Sequence, residues 1–456
     1  MAGSKIVADL EKRAEESDSE TKSTHAVETT NEFATSTLEQ TEQPQETALR
    51  IQHTARWQMF AVCFSLFLAG WDGGTMGPLL PRIQSFYHVD FLIVSLLFVF
   101  NCVGFLCGAA SNVYMTDRWG FGKVIFLGSL GQTVAYALIA PAAPFPVFCL
   151  AFAINGWGIG LQDAQANGFV ASIKENSAAK MGLLHALYGF GAVCSPLVAT
   201  QFAQLHHWSF HFLCSLGIAL VNNVILLIVF RGKTQDECLQ AIGQEAGEQG
   251  TSEQSKYRQI LGQKVVHLLA IFSLIYVGTE VTIGGWTVTY IIDRRHGGAS
   301  SGYISTGFFG GLTLGRLALL WVNEKVGERL VIFIYIALSI GFELIVWLVP
   351  SLVGGAIAVS FVGFVFGPIY PILMNESSRL IPPWLLTGSI GWIGGFGFAG
   401  SALFPFLTGA LASRFGIQSL QPFLVVLMVV MFGIWVLVPK QRTFTNARTS
   451  SDATSK

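Results

Sequence analysis

The stretch TDRWGFGK, residues 116–123, places an acid, a base and a glycine at a turn directly after a long apolar run. A second stretch of the same kind, NEKVGER at residues 323–329, also follows an apolar run. One shift of 207 positions (324 minus 117) carries Asp117, Arg118 and Gly120 onto Glu324, Lys325 and Gly327. The two turns therefore predict that the chain contains a duplicated unit.

Other paired positions repeat this offset. The same shift of 207 carries Gly156 and Gly160 onto Gly363 and Gly367, and a shift of 209 (400 minus 191) carries Gly191 and Pro196 onto Gly400 and Pro405. A nearly constant offset across three separate motifs is hard to obtain by chance. We therefore predict that each half of the chain is one copy of the same helical unit.

The composition indicates that lipid is the solvent for most of the chain. Hydrophobic residues make up 52% of it and charged residues only 12%, about half the charged fraction of a soluble protein. The 27 basic and 28 acidic residues nearly balance, so no nucleic-acid partner is expected. The seven cysteines show no zinc-ligand spacing and no disulfide framework, and no P-loop is present. We expect no cofactor, no metal and no enzymatic activity.

The apolar runs are long enough to cross a bilayer, which takes about 20 residues for each helix. They predict an all-α integral membrane protein of about twelve transmembrane helices in two pseudo-symmetric six-helix bundles. The predicted spans, numbered one to twelve in chain order, are 57–81, 91–115, 123–143, 146–172, 178–204, 209–231, 264–292, 300–322, 330–349, 352–375, 384–410 and 419–439.

The polar segments between and beyond these spans set the predicted domain boundaries. These are a disordered cytoplasmic tail at 1–56, an N-terminal bundle at 57–231, a cytoplasmic linker at 232–263, a C-terminal bundle at 264–439 and a cytoplasmic tail at 440–456. With the N-terminus inside, sixteen Lys and Arg residues near the span ends are cytoplasmic and four are external, as the positive-inside rule requires. We expect a monomer in the plasma membrane, rather than in an internal membrane.

The two six-helix halves, the long central loop and the acid-base turns resemble the major facilitator superfamily. The turn at 116–123 is similar to the signature loop Gly-x-x-x-Asp-Arg-x-Gly-Arg-Lys and departs from it at Phe121. LLHALYGFGAVCSP (183–196), YVGTEVTIGGW (276–286) and GWDGGTMGPLLP (70–81) resemble segments of the fucose/proton symporter-like branch. The resemblance implies a fungal-type secondary transporter that works by alternating access but does not specify its substrate. We expect it to move a small polar solute of the sugar-like kind together with protons.

Five charged residues lie inside predicted spans: Asp72, Asp163, Glu280, Arg316 and Glu343. Each costs about 2.5–3.5 kcal/mol at the centre of a membrane helix on insertion scales. We therefore expect Asp72, Asp163 and Glu280 to face a wet cavity between the halves. Glu343 lies in span nine, which resembles a peripheral support helix, and a structural role is expected there.

The candidate site residues fall into two groups by chemistry. Hydroxyl-binding or ring-stacking side chains predict a substrate site formed by Asp72, Asn101, Gln162, Asn167 and Trp286. Titratable side chains inside the spans predict proton coupling by Asp163, Glu280 and His185. The resemblance implies that the first-span acid, Asp72, meets the solute and that the fourth-span acid, Asp163, carries the proton.

A third group, at the cytoplasmic ends of the spans, predicts a gate. We expect a salt-bridged latch that closes when the protein faces outward and opens when it faces inward. Its predicted members are Asp117, Arg118, Glu175, Arg316, Glu324, Arg329 and Glu376.

Two other functions agree with the same sequence. An efflux antiporter for hydrophobic metabolites or drugs would need an aromatic cavity with few polar groups, whereas the Gln/Asp/Asn stripe of span four favours a hydroxylated solute. A nutrient sensor that does not transport would be expected to carry longer cytoplasmic tails.

Overall fold

The structure, a computed structural model, describes residues 49–244 and 258–440. All regular structure within these residues is helical, as predicted. Most of the predicted N-terminal tail, the middle of the linker and nearly all of the C-terminal tail lie outside the described residues. The predicted domain boundaries therefore stay predictions.

Twelve membrane spans are present when one bent pair of helices is counted as a single span. Spans one to six are Leu49–Tyr87, Phe91–Trp119, Phe121–Ile139, Phe145–Ser172, Ala179–Ala203 and Trp208–Phe230. Spans seven to twelve are Lys264–Arg295, Ala299–Ala318 with Leu320–Val326, Glu328–Leu348, Leu352–Leu380, Trp384–Phe415 and Ile417–Leu437. The predicted all-α membrane fold is confirmed.

The two signature turns have the same backbone shape. Span two ends at Gly120, whose φ is 83°, and the equivalent helix in the second half ends at Gly327, whose φ is 90°. A positive φ of this size is strained for residues with a Cβ atom and easy for glycine. Glycine is therefore required at both turns, which explains why it is the residue that repeats.

The repeated glycines inside the spans are points of close helix contact. A side chain at Gly156 would overlap the backbone carbonyl of Asn101 on span two, and one at Gly363 would overlap the carbonyl of Phe308 on span eight. The pairs Gly191 with Phe67 and Gly400 with Leu274 are arranged in the same way. Because small residues let membrane helices approach closely, each half is packed by the same contacts.

The two halves meet on the face away from the start of span one and the end of span twelve, here named the closed face. The Leu92 N–H on span two donates to Ser413 Oγ on span eleven at 2.7 Å, and Gln201 on span five donates to the hydroxyl of Tyr303 on span eight. Deeper in the molecule, the rings of Phe105 and Phe398 stack with centroids 3.7 Å apart. These contacts seal one side of the space between the halves.

The opposite face, here named the terminal face, carries the start of span one, the end of span twelve and both signature turns. Between described residues, no hydrogen bond or ion pair joins the two halves on this face. A short linker helix, Gln235–Gln240, instead packs on the first half, where the Gln58 amide donates to the Cys238 carbonyl at 3.1 Å. The described hydrogen bonds between the halves thus lie on the closed face and in the middle of the spans, and we infer that the space between the halves opens toward the terminal face.

Candidate functional site: an acidic chamber between the halves

Three acids lie deep inside spans one, four and seven. Asp72, Asp163 and Glu280 are each partly exposed, although each stands many residues from either end of its span. A partly exposed acid at this depth faces either lipid tails or an internal space, and the first is costly.

Two tyrosines show that the space is shared. Tyr188 on span five interacts electrostatically with Asp72, Asp163 and Glu280. Tyr370 on span ten interacts electrostatically with Asp163 and Glu280. Both tyrosines are themselves partly exposed. We name the space bounded by these five residues the chamber.

Asp72 is held from the side of the first half. Its carboxylate accepts a hydrogen bond of 3.3 Å from the hydroxyl of Tyr136 on span three, and Asn155 on span four also bonds to it. Tyr136 is only 1% exposed, so its hydroxyl is committed to this contact. The remaining carboxylate lone pairs can accept from a solute.

Asp163 has a simpler environment. Asn167, one helical turn further along span four, donates its side-chain amide to Asp163 Oδ1 at 3.0 Å and to the Asp163 carbonyl at 2.9 Å. The two side chains share one face, as the i, i+4 spacing predicts. Asp163 therefore has one side-chain donor, which leaves its carboxyl accessible from the chamber.

Glu280 belongs to a polar group in the second half. It is close enough to Arg316 on span eight for a charge attraction, and the hydroxyl of Tyr276 contacts both side chains. His185 on span five lies within electrostatic range of the same arginine. Arg316 therefore stands between an acid of its own half and a histidine of the other half.

The break in span ten explains how this group is anchored. The helix is interrupted between Phe366 and Ile369, where Pro368 lacks a backbone N–H. Tyr276 donates its hydroxyl to the Phe366 carbonyl at 3.1 Å, and Arg316 Nε donates to the Gly367 carbonyl at 3.3 Å. Carbonyls at the break are thus satisfied by Tyr276, which contacts Glu280, and by Arg316, whose charge attracts it.

Three predicted substrate residues are placed outside the chamber. Both ends of the Gln162 amide are bonded within the first half, to Gln132 and Asn222. Trp286 is fully buried, and its indole N–H donates to the Pro405 carbonyl at 3.1 Å. The structure therefore corrects the expectation that Gln162 and Trp286 face the solute in this conformation.

Asn101 is the third of these residues. It points into the contact between spans two and four, where Gly156 packs closely. Its side-chain oxygen is buried without a hydrogen-bond partner. In this position, Asn101 is packed between spans two and four and does not face the acids of the chamber.

The predicted latch is not formed in this conformation. Asp117, Arg118, Glu175 and Glu324 are exposed, and between described residues no ion pair involves any of them. Arg118 instead donates to the Tyr114 hydroxyl at 3.1 Å. This arrangement is the one expected for the open terminal face.

Two other members of the predicted latch have partners within their own half. Arg329 donates to the carbonyls of Val438 and Pro439 at 2.5 and 2.7 Å, where span twelve ends. Glu376 pairs with Arg379 at 2.9 Å. The expected pairing of Glu324 with Arg329 is therefore absent here, because the guanidinium binds helix-end carbonyls.

Glu343 differs from the three acids of the chamber. It is 1% exposed, and its Oε2 atom has no hydrogen-bond partner. It lies near Tyr290 of span seven, inside the second half. This position agrees with the structural role expected for span nine.

Sequence reasoning missed the polar residues that support Asp72. Gln132, Tyr136 and Asn222 lie inside spans three and six and are almost completely buried. Each is a lone polar or aromatic residue in an apolar run, which is a weak signal. Tyr188 lies in the segment 183–196 that resembles the symporter branch but was given no role of its own, and Tyr370 was missed because nothing separates it from other aromatic residues in the spans.

Comparisons with known proteins agree with this architecture. The family model of the Major Facilitator Superfamily matches residues 62–384. Bypass of stop codon protein 6 of Saccharomyces cerevisiae is 26% identical over 411 residues, covering 84% of this chain and 82% of the relative. The Glucose/mannose transporter GlcP of Bacillus subtilis is 23% identical over 372 residues, covering 80% and 91%. A crystal structure of a D-xylose-proton symporter superposes with a TM-score of 0.70 at 11% identity, covering 84% of this chain and 98% of the symporter.

The chain belongs to the Major Facilitator Superfamily, because the family model covers well over half of it. It is an integral multi-pass membrane protein and a transporter rather than an enzyme. The likeness to the symporter shows the fold alone. Membership of the fucose/proton symporter-like branch stays a prediction.

Proposed function

We propose that this protein moves a neutral, hydroxylated, sugar-like solute across a membrane by alternating access and that protons drive the movement. The observation that carries the proposal is the chamber, where acids from both halves surround one space. Carboxylates accept hydrogen bonds from hydroxyl groups, and buried charges in membrane spans mark solute and proton pathways. The relative GlcP, by its name a glucose/mannose transporter, supports the same solute class.

The solute site is formed by Asp72, Asn167, Tyr188 and Tyr370. Asp72 accepts from solute hydroxyls, and Asn167, whose amide N–H groups bind Asp163, offers its side-chain oxygen as a further acceptor. The tyrosines present ring faces for the apolar side of a sugar and hydroxyls for its polar edge. This set replaces Gln162 and Trp286, while Asn101 would join it only if the contact between spans two and four opened.

Protons bind to Asp163 or Glu280. A proton on Glu280 removes its attraction to Arg316, so the arginine can turn toward the interface that carries His185. A proton on Asp163 removes a charge from the solute path. Protonation of Glu280 therefore changes which contacts hold the two halves together, which is how a proton gradient biases a two-state equilibrium.

The halves rock about the chamber. In this proposal, the present conformation is the state that is open at the terminal face, and the latch of Asp117, Arg118, Glu175 and Glu324 forms when that face closes. We place the terminal face in the cytoplasm because Lys and Arg residues concentrate there. A monomer in the plasma membrane completes the proposal.

Purified protein in proteoliposomes tests the proposal. Uptake of labelled glucose, mannose and xylose is measured with and without an imposed pH gradient, for the wild type and for Asp72→Asn. We expect gradient-driven accumulation of at least one sugar and a loss of at least about tenfold in the variant, since a hydrogen bond to a charged group contributes about 1.5–3 kcal/mol.

Asp90→Asn is the matched control. Asp90 caps span two from outside the chamber by accepting from the Ile93 N–H, and asparagine caps a helix equally well. Equal uptake by Asp72→Asn and the wild type would refute the site. Export of hydrophobic compounds would instead establish the efflux antiporter, and sugar binding without flux would establish the sensor.

A further inference from the structure

A chain of buried hydrogen bonds runs from the interior of the first half to the chamber. Its members, which we name the relay, are almost completely buried and come from spans one, three, four and six. They are Ser65, Asn222, Gln162, Gln132 and Tyr136, and the last of them bonds to Asp72.

Each bond of the relay donates toward Asp72. Ser65 Oγ donates to Asn222 Oδ1 at 3.1 Å, and Asn222 Nδ2 donates to Gln162 Oε1 at 2.8 Å. Gln162 Nε2 donates to Gln132 Oε1 at 2.5 Å, and Gln132 Nε2 donates to Tyr136 Oη at 3.3 Å. The chain therefore has one direction and ends on an acceptor.

Asp72 fixes the direction in which the hydrogen bonds of the relay donate. A carboxylate can only accept, so Tyr136 must use its single O–H on Asp72. The Tyr136 oxygen can then only accept from the Gln132 amino group, which leaves Gln132 Oε1 to accept from Gln162. Successive donors in a low-dielectric interior polarise one another and strengthen the last bond.

We propose that the relay keeps Asp72 as a hydrogen-bond acceptor throughout transport. Tyr136 and Gln132 are then positioning residues that set solute recognition, and the proton is carried by the other acids of the chamber. This inference rests on the proposed function, because it assigns Asp72 to solute binding. It also narrows the solute class to neutral or cationic hydrogen-bond donors, since a held carboxylate repels anions.

Other groups near Asp72 do not supply an alternative explanation. The titratable side chains that face it are Tyr136 on span three and Tyr188 on span five. Among the described residues, no base pairs with it. The charged form of Asp72 is therefore stabilised by two side-chain donors, Asn155 and the Tyr136 hydroxyl at the end of the relay.

Infrared difference spectroscopy on purified transporter in lipid tests the proposal without requiring transport. The protonated-carboxyl band of Asp72 is identified by its loss in Asp72→Asn and is then followed against pH. In Tyr136→Phe and Gln132→Met, we expect this band to appear at higher pH than in the wild type. The KM for the solute should rise about tenfold to a hundredfold, with kcat nearly unchanged, because the lost bond is to a charged group.

Tyr335→Phe is the control. Its hydroxyl donates to Asn323 at 2.6 Å within the second half, so the variant loses a buried hydroxyl that does not face the chamber. The inference is overturned if the Asp72 band appears at the same pH, and the KM is the same, in Tyr136→Phe, Tyr335→Phe and the wild type. If Tyr136→Phe does not fold, the same two measurements on Gln132→Met test the inference. If the Asp72 band shifts in these variants but the wild-type protein moves no sugar, the relay is supported and only the proposed function is refuted.

Discussion

Removing the hydrogen bonds that close one face should shift the balance between the two states of the transporter. Leu92 N–H to Ser413 Oγ and Gln201 to the Tyr303 hydroxyl both join the halves. Both bonds are exposed to solvent, so each contributes about 0.5 kcal/mol, the low end for an intramolecular hydrogen bond. The sites are separate, so the effects should add. Ser413→Ala with Tyr303→Phe should therefore disfavour the present state by about 1 kcal/mol, or about fivefold in population.

Pulsed electron resonance between two spin labels measures this shift. Glu175 and Ser378 are exposed residues at the terminal-face ends of spans four and ten, one in each half. Labels on cysteines at these positions, with the native cysteines replaced, should show a short distance when the terminal face closes. The double variant should increase the short-distance fraction about fivefold, and each single variant about twofold.

Ser419→Ala is the matched control, because the Ser419 hydroxyl donates to the Gly416 carbonyl at 2.8 Å within its own half. It should leave the distance distribution unchanged. An unchanged distribution in the double variant, or a shift toward longer distances, would show that these contacts do not hold the closed face.

Three further outcomes follow from the structure. Asp163→Asn should abolish accumulation driven by a pH gradient and preserve exchange of labelled for unlabelled solute; loss of both activities would contradict a purely proton-carrying role. Thr234→Ala should lower the unfolding free energy by about 1 kcal/mol, measured by thermal denaturation, since Thr234 caps the linker helix. The Thr234 backbone N–H lowers the pKa of Glu237, so this carboxylate stabilises the cap at neutral pH and the effect is lost as pH falls through the lowered pKa. Glu237→Gln should therefore lower the melting temperature at neutral pH and have less effect at acid pH; equal shifts at the two pH values would contradict this. Burial raises the pKa of the Cys238 thiol to about 11, so a protein that keeps only this cysteine should react slowly with maleimide near pH 7. Gln58→Leu removes the hydrogen bond that holds the linker helix and should speed the reaction. An unchanged labelling rate would show that the linker helix does not shield the thiol.

The number and type of the spans were predictable from sequence because apolar length alone decides them. Their ends were less predictable. Span one was predicted at 57–81 and runs over Leu49–Tyr87. The added residues at its start pack on the linker, where Ile51 lies beside Gly243, and this tertiary contact leaves no mark on local hydropathy.

The broken helices show a similar limit. Spans eight and ten were predicted as single helices, yet the first bends by 52° after Ala318 and the second is interrupted at Pro368. The proline was a visible signal for the second break. The first break has no proline, and its position depends on packing against neighbouring helices.

The candidate site was predictable where spacing within one helix decided it. Asp163 and Asn167 share a face because they are four residues apart, and their hydrogen bond agrees with that expectation. Gln162 lies one residue away and faces span three instead, where it bonds to Gln132. Which polar residue faces the chamber and which faces another helix depends on the arrangement of the bundle.

Spans two and eight are equivalent members of the duplicated unit, yet their shapes differ. Span two is one continuous helix, whereas span eight is bent by 52°. Because spans two and eight are copies of one helical unit, we expect each of them to be able to adopt either shape. We expect span two to bend and span eight to straighten when the entrance moves from one side of the bilayer to the other. Helix-angle measurements on span two during turnover would reveal that exchange, and a span that stayed straight in both states would exclude it.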